Sequence, residues 1–177
     1  ADYQEAEVLK VQDALRRLAE GDLGVELSPA PTDAETAAVG QTFQVIAAAI
    51  TQVAASVRGL SSDAQVLAQA AVQGRLSTRV DARRHQGEYR KVVEGVNHTL
   101  DAVMGPLGTA AQYVARLSRG DIPEKISTPY AGDFGALRDD LNGCIEAVNA
   151  LVADTARLGQ AATEGRLSTR VDAARHG

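Results

Sequence analysis

Three features of this sequence predict an all-α chain of long helices joined by short irregular segments. Aliphatic residues recur at alternating three- and four-residue steps over long spans, which is the spacing of a coiled-coil seam. Aromatics make up 3% of the 177 residues while 45% are hydrophobic. These are largely Ala, Val and Leu, a balance suited to helices packed through small and branched aliphatics. Finally, one irregular stretch returns: QGRLSTRVDA at Gln73 to Ala82 recurs as EGRLSTRVDA at Glu164 to Ala173. An internal repeat of this kind governs the whole architecture.

The first helix is expected from Tyr3 to Glu20, with Val11, Ala14 and Leu18 on one stripe and Lys10, Arg16 and Arg17 off it. Gly21 ends it as a helix-terminating glycine would, and Pro29 and Pro31 exclude regular helix beyond. Thr32 and Glu35 have the spacing of a capping box, which places the next helix start there. From that point Val39, Phe43, Ile46, Ile50, Val53, Val57, Leu60, Ala64, Leu67 and Ala71 step 4-3-4-3 without a slip to Gly74. That is one helix of ~58 Å at 1.5 Å per residue. Gly59 lies inside it but off the seam, costing ~1 kcal/mol relative to Ala.

A further helix is predicted from Glu88, with seam residues Val92, Val96, Thr99, Val103, Pro106, Ala110, Tyr113 and Leu117. Gly105-Pro106 is expected to interrupt it, since proline removes a backbone donor and kinks or restarts a helix. The last helix is expected from Asp133, with Leu137, Leu141, Cys144, Val148, Leu151, Thr155, Leu158 and Ala162. Gly165 then opens another irregular stretch. The sequence stops at Gly177, where a further repeat should continue, and so reads as a piece of a longer array.

The irregular stretches obey one rule: a glycine, an aliphatic residue two on, and a second aliphatic four beyond that. The sets are Gly21/Leu23/Leu27, Gly74/Leu76/Val80, Gly120/Ile122/Ile126 and Gly165/Leu167/Val171. Successive glycines stand 53, 46 and 45 residues apart. The longer first interval exceeds the second by one heptad, which leaves the seam in phase. Antiparallel neighbours in bundles are joined by roughly 2–8 residues. A connector of about a dozen residues reaches ~40 Å when extended, enough to run back along the preceding helix and start a parallel one. Two parallel helices bury too little alone, so each unit is expected to dimerise into a parallel four-helix bundle.

Other functions find little support. The net charge of −5 is mild and spread along the chain, unlike a nucleic-acid patch or a cationic membrane-seeking helix. Cys144 is the only cysteine, which excludes an internal disulfide and argues against a thiolate metal site. In the seam it reads as a small buried hydrophobe. No apolar run approaches the roughly 18 residues that span a bilayer, and the opening ADYQEAEV lacks the blocks of a signal peptide. The stretch is therefore expected to be soluble and cytoplasmic. His85, His98 and His176 lack the neighbours of a phosphoacceptor or metal site, and Arg75, Arg79, Arg83, Arg84, Arg166, Arg170 and Arg175 read as solvated charges. No nucleophile–base pair or phosphate loop occurs in a convincing context. No catalytic, metal-binding or cofactor-binding residue is expected.

The connector rule resembles that of the HAMP signalling domain in its tandem, poly-HAMP form. The family's second helix resembles an acidic residue, hydrophobics four and eight later, then Asn. Here that reads Glu35/Val39/Phe43/Gln44, Glu88/Val92/Val96/Asn97 and Asp133/Leu137/Leu141/Asn142, with Gln44 the one departure. The family often opens its first helix with proline, as only Pro106 does here. The resemblance implies units at 1–58, 59–105 and 106–150 and the start of a fourth at 151–177. It also implies a parallel homodimer that relays conformational change from a sensor input to an output such as a histidine kinase or chemoreceptor tip, possessing no cofactor. Small and polar seam residues (Ala64, Ala71, Ala110, Ala162, Thr99, Thr155) are compatible with two packings a few kcal/mol apart. A passive coiled-coil spacer is the rival reading, and a monomeric antiparallel helical ligand-binding domain a second. A spacer has no reason to keep connectors with paired anchors.

Overall fold

The computed structural model describes residues 2–171, which form four α-helices and no strand. They are α1 (Asp2–Ala19), α2 (Ala37–Val72), α3 (Gly87–Leu117) and α4 (Gly132–Thr163), with a short 3-10 turn at Ala82–Arg84 before α3. The chain divides into two compact bodies, Ala1–Leu100 and Asp101–Gly177.

In the first body the contacts fix the direction of the chain. Tyr3 near the start of α1 meets Phe43 near the start of α2 edge to face, ring centroids 6.4 Å apart at 74°. Further along both helices, Ala14, Val25 and Ile50 form a buried cluster, with Val11, Leu27 and Ile46 packed against it. The two helices therefore advance together and are parallel. The connector supplies the return. It leaves α1 beside Leu23, whose carbonyl accepts from Arg58. It comes back to the start of α1 at Ala30, whose carbonyl accepts from the Tyr3 hydroxyl at 3.1 Å and whose N–H donates to the Glu7 carboxylate at 3.1 Å.

The same path recurs with the second half of α2 and α3. The connector ends at His85, whose ring meets Asp63 of α2, after touching the middle of α3 where Val80 meets Asn97. In the second body the connector after α3 passes Asn142 of α4 at Ile126 and returns to Thr109 of α3 at Tyr130. Long return connectors thus produce parallel neighbours, as their length requires.

The helix starts differ from the expected capping box at Thr32/Glu35. Asp33 Oδ1 accepts from the N–H groups of Glu35 and Thr36, and Thr36 Oγ1 accepts from the Asp33 N–H. The reciprocal box is therefore Asp33/Thr36, one residue later, and α2 begins at Ala37. Thr32 instead packs against Gly40, where an added Cβ would fall 2.1 Å from its methyl carbon. Pro106 does not interrupt α3, which runs through it. One missing donor is tolerated within a helix of this length, although such a site is normally costly.

α2 also corrects the expectation that no stretch is long and apolar enough to cross a membrane. By length and composition it meets that test, because residues 37–57 carry no charge. The interspersed Gln41, Gln44, Thr51 and Gln52 and the run of small alanines had hidden this. Gly40, Phe43, Ala47, Ile50 and Ala54 form its buried stripe.

Candidate functional site: connectors and seam

Each connector begins with the same backbone device. Gly21, Gly74, Gly120 and Gly165 have φ of +91°, +71°, +76° and +75°. The N–H of the following residue reaches back to the carbonyl five positions earlier: Asp22 to Arg17, Arg75 to Ala70, Asp121 to Arg116 and Arg166 to Ala161, at 2.8–3.0 Å. The glycine N–H takes the carbonyl three before it. This is the Schellman termination, and its left-handed residue favours glycine.

Beyond the glycine the anchors turn inward by degrees. Val80 and Ile126 are buried, while Leu23, Leu27, Leu76, Ile122 and Val171 are half-buried. Leu167 is exposed. In the first connector the most buried residue is Val25, at 3% exposure, which the two-anchor rule overlooked. Its position between Leu23 and Leu27 in an alternating run was the available signal.

The second anchors are held by an asparagine of the next helix. Asn97 accepts from the Val80 N–H at 3.2 Å and donates to its carbonyl at 2.7 Å. Asn142 does the same to Ile126, at 2.7 and 3.1 Å. A side-chain amide satisfies a backbone segment that has no ladder partner of its own. Gln44, at the equivalent place in the first connector, is exposed and borders Leu27 and Pro29 across a cavity of about 440 Å³.

Two kinds of connector alternate. In the first and third, an arginine before the glycine pairs with an aspartate after it: Arg17 with Asp22 at 2.6 Å and Arg116 with Asp121 at 2.7 Å. The hydrogen-bonded guanidinium holds each carboxyl below the usual carboxylate range. In the second and fourth the places are Ala70 with Arg75 and Ala161 with Arg166. There Arg79 Nη1 braces the loop by donating to the Leu76 and Thr78 carbonyls at 2.7 Å, and Arg170 donates likewise to Leu167 and Thr169 at 3.0 Å. The repeated word RLSTRV is thus an internally braced turn.

The acidic helix starts are at the surface. Glu88 lies in the first turn of α3 and pairs with Lys91 at 2.7 Å, and Asp133 lies in the first turn of α4. Exposed Glu35 precedes α2. The seam divides within one chain. Phe43 and Leu141 are buried, and Val39, Ile46, Pro106 and Leu137 are half-buried. Val92, Val96, Thr99 and Cys144 are exposed. Cys144 is exposed in the single chain, and the burial expected of it was against a second copy. His176 and Arg175 lie outside the described residues.

Residues 8–52 and residues 84–150 each match the HAMP domain family. The chain carries HAMP domains in tandem. Over 86 residues it is 27% identical to the methyl-accepting chemotaxis protein McpB of Pseudomonas aeruginosa, a match covering 49% of this chain and 13% of that protein. HAMP domains are non-catalytic signalling modules, so the role of this poly-HAMP chain is signal relay. The passive spacer is the less favoured reading: paired anchors, asparagine clamps and Schellman glycines are not needed to hold a rod.

Proposed function

We propose that this poly-HAMP segment acts as a parallel homodimer, linking an input domain to an output domain of a larger receptor or sensor kinase. The units are 1–58, 59–105, 106–150 and the start of one at 151–177, so α2, α3 and α4 each serve two units. The exposed apolar seam carries the proposal. Val53 of α2 and Val92, Val96 and Val103 of α3 are between 38% and 50% exposed, all at seam positions. An apolar cavity of about 280 Å³ opens among Leu60, Ala64, Leu67, Val80, Val92 and Val96. A second copy related by a two-fold axis along the helices would place the same residues opposite themselves and fill it. In a membrane-anchored receptor the segment belongs to the cytoplasmic side.

Relay then follows from geometry. Each connector ties the start of one helix to the end of its predecessor. A shift of the first helix thus reaches the second through the clamped anchor, with no chemical step. The test is Leu76→Asp or Val80→Asp in the intact receptor. Either change should unseat the second connector and alter output at unchanged receptor abundance. A receptor whose output ignores both changes would sink the relay role of that unit.

A further inference from the structure

The first connector lacks the asparagine that grips the second and third, and two other side chains take both backbone groups of one of its residues. The Ala30 N–H donates to Glu7 Oε1 at 3.1 Å, and the Ala30 carbonyl accepts from the Tyr3 hydroxyl at 3.1 Å. Tyr3 and Glu7 both belong to α1, four residues apart and so on one face of it. In the second and third connectors the doubly gripped residue is Val80 or Ile126, and the grip comes from α3 or α4. We propose that Tyr3 and Glu7 are the positioning residues of the first unit. They fix its connector to the helix before it, so that it moves with α1, whereas the second and third connectors move with the helix after them.

Three observations carry this. Glu7 is 1% exposed, and a carboxylate is rarely so buried unless paired. Its partners are Lys10 Nζ at 2.6 Å and the Ala30 N–H, so the grip on the connector is part of what makes that burial tolerable. Secondly, Pro29 and Pro31 flank Ala30. Neither proline has an N–H, so Ala30 holds the one backbone donor of those three residues, and Glu7 takes it. The fixed φ of each proline and the extended bias it imposes on the residue before it make the segment stiff. A pull on Ala30 therefore reaches the Asp33/Thr36 box and the start of α2 at Ala37. Thirdly, α2 does not compete for this stretch. Gln44 is exposed and, among the described residues, makes no hydrogen bond to the connector. Arg58 of α2 does bond the Leu23 carbonyl, but at the connector's other end. Thr32 packs its methyl on Gly40, on the path from Ala30 to α2.

The later connectors also touch the helix before them, but side chain to side chain. His85 Nε2 lies 2.6 Å from Asp63 Oδ2, and the Tyr130 hydroxyl 3.5 Å from Thr109 Oγ1. Both contacts come after the clamped anchors and leave the backbone at Val80 and Ile126 to Asn97 and Asn142. A displacement of α1 thus carries the end of its connector with it. In the later units a displaced first helix meets a connector already fastened to the second.

The test is amide hydrogen exchange of the whole chain, read at Ala30, at Gly40 in the first turn of α2, whose N–H donates to the Thr36 carbonyl, and at Val80. Tyr3→Phe removes one hydroxyl and keeps the ring beside Phe43. It should speed exchange at Ala30 and Gly40 by about threefold to tenfold and leave Val80 level. Glu7→Ala should do the same, whereas Glu7→Gln, which keeps an oxygen for the Ala30 N–H, should retain most of the protection there. Gln44→Ala should change neither Ala30 nor Gly40. In the second unit the dependence should cross over: Asn97→Ala should speed exchange at Val80, and Asp63→Asn should not. Unchanged rates in Tyr3→Phe, an equal effect of Gln44→Ala, or a Val80 as sensitive to Asp63→Asn as to Asn97→Ala would overturn the assignment. If Glu7→Ala does not fold, Tyr3→Phe and Gln44→Ala decide. The consequence for signalling rests on the relay reading, which Val80→Asp in the receptor tests. The exchange pattern does not, so the two can fail separately.

Discussion

The side-chain amide of Asn97 grips Val80 by both its backbone groups, and Asn142 grips Ile126 in the same way. The anchors are therefore fixed by polarity as well as by burial. Asn97→Ala removes two hydrogen bonds and leaves partly buried backbone groups unpaired, at a cost of about 1–3 kcal/mol. Gln44→Ala, at the exposed equivalent, should change stability by less than about 0.5 kcal/mol. Urea midpoints of the two variants check this. Equal losses would mean that the clamp contributes no more than an ordinary polar residue.

Gly74→Ala forces a side chain into the left-handed region and should cost about 1–2 kcal/mol. Gly143→Ala, within α4 and with open space around an added Cβ, should stabilise by about 0.5–1 kcal/mol. Thermal unfolding of both variants separates conformational from packing effects. A stabilising Gly74→Ala would contradict the assigned termination.

Glu7 is almost wholly buried in the first body, accepting from Lys10 Nζ at 2.6 Å and from the Ala30 N–H. The hydrogen-bonded Lys10 ammonium, aided by the Ala30 N–H, holds its carboxyl below the usual range against the effect of burial. A lowered folded value means the stabilisation is present above the unfolded carboxylate value and is lost as pH falls through the folded one. The urea-midpoint advantage of wild type over Glu7→Gln should thus shrink between about pH 5 and pH 3. An advantage constant over that range would exclude a charged Glu7 as the stabilising form.

The helices were legible because the seam and the connector rule are local patterns. Asp2–Ala19 and Gly132–Thr163 fall within a residue or two of the expected bounds. The box was expected one residue early because Asp33/Thr36 and Thr32/Glu35 both have cap-like spacing, and α2 itself begins only at Ala37, two residues beyond Glu35. The Asp63–His85 contact was invisible because it joins residues that neither the seam nor the anchor rule singles out. His85 therefore read as an ordinary connector residue. The asparagine role was half legible: Asn97 and Asn142 had a place in the pattern, but no spacing reveals that an amide will clasp a backbone 16 or 17 residues away.

The parallel dimer also predicts the behaviour of Cys144. Its exposed seam position should bring two copies of the thiol together, so mild oxidation of the folded chain at low concentration should give a covalent dimer. Cys144→Ser should remove it. A folded chain that stays uncrosslinked would place α4's seam away from the dimer axis.

The most direct measurement is the mass of the chain in solution by light scattering at micromolar concentration. The account predicts twice the 18.5 kDa of one chain, with the exposed valines of the seam covered by a second copy. A mass of one chain, for a protein that keeps its helical content, would contradict it.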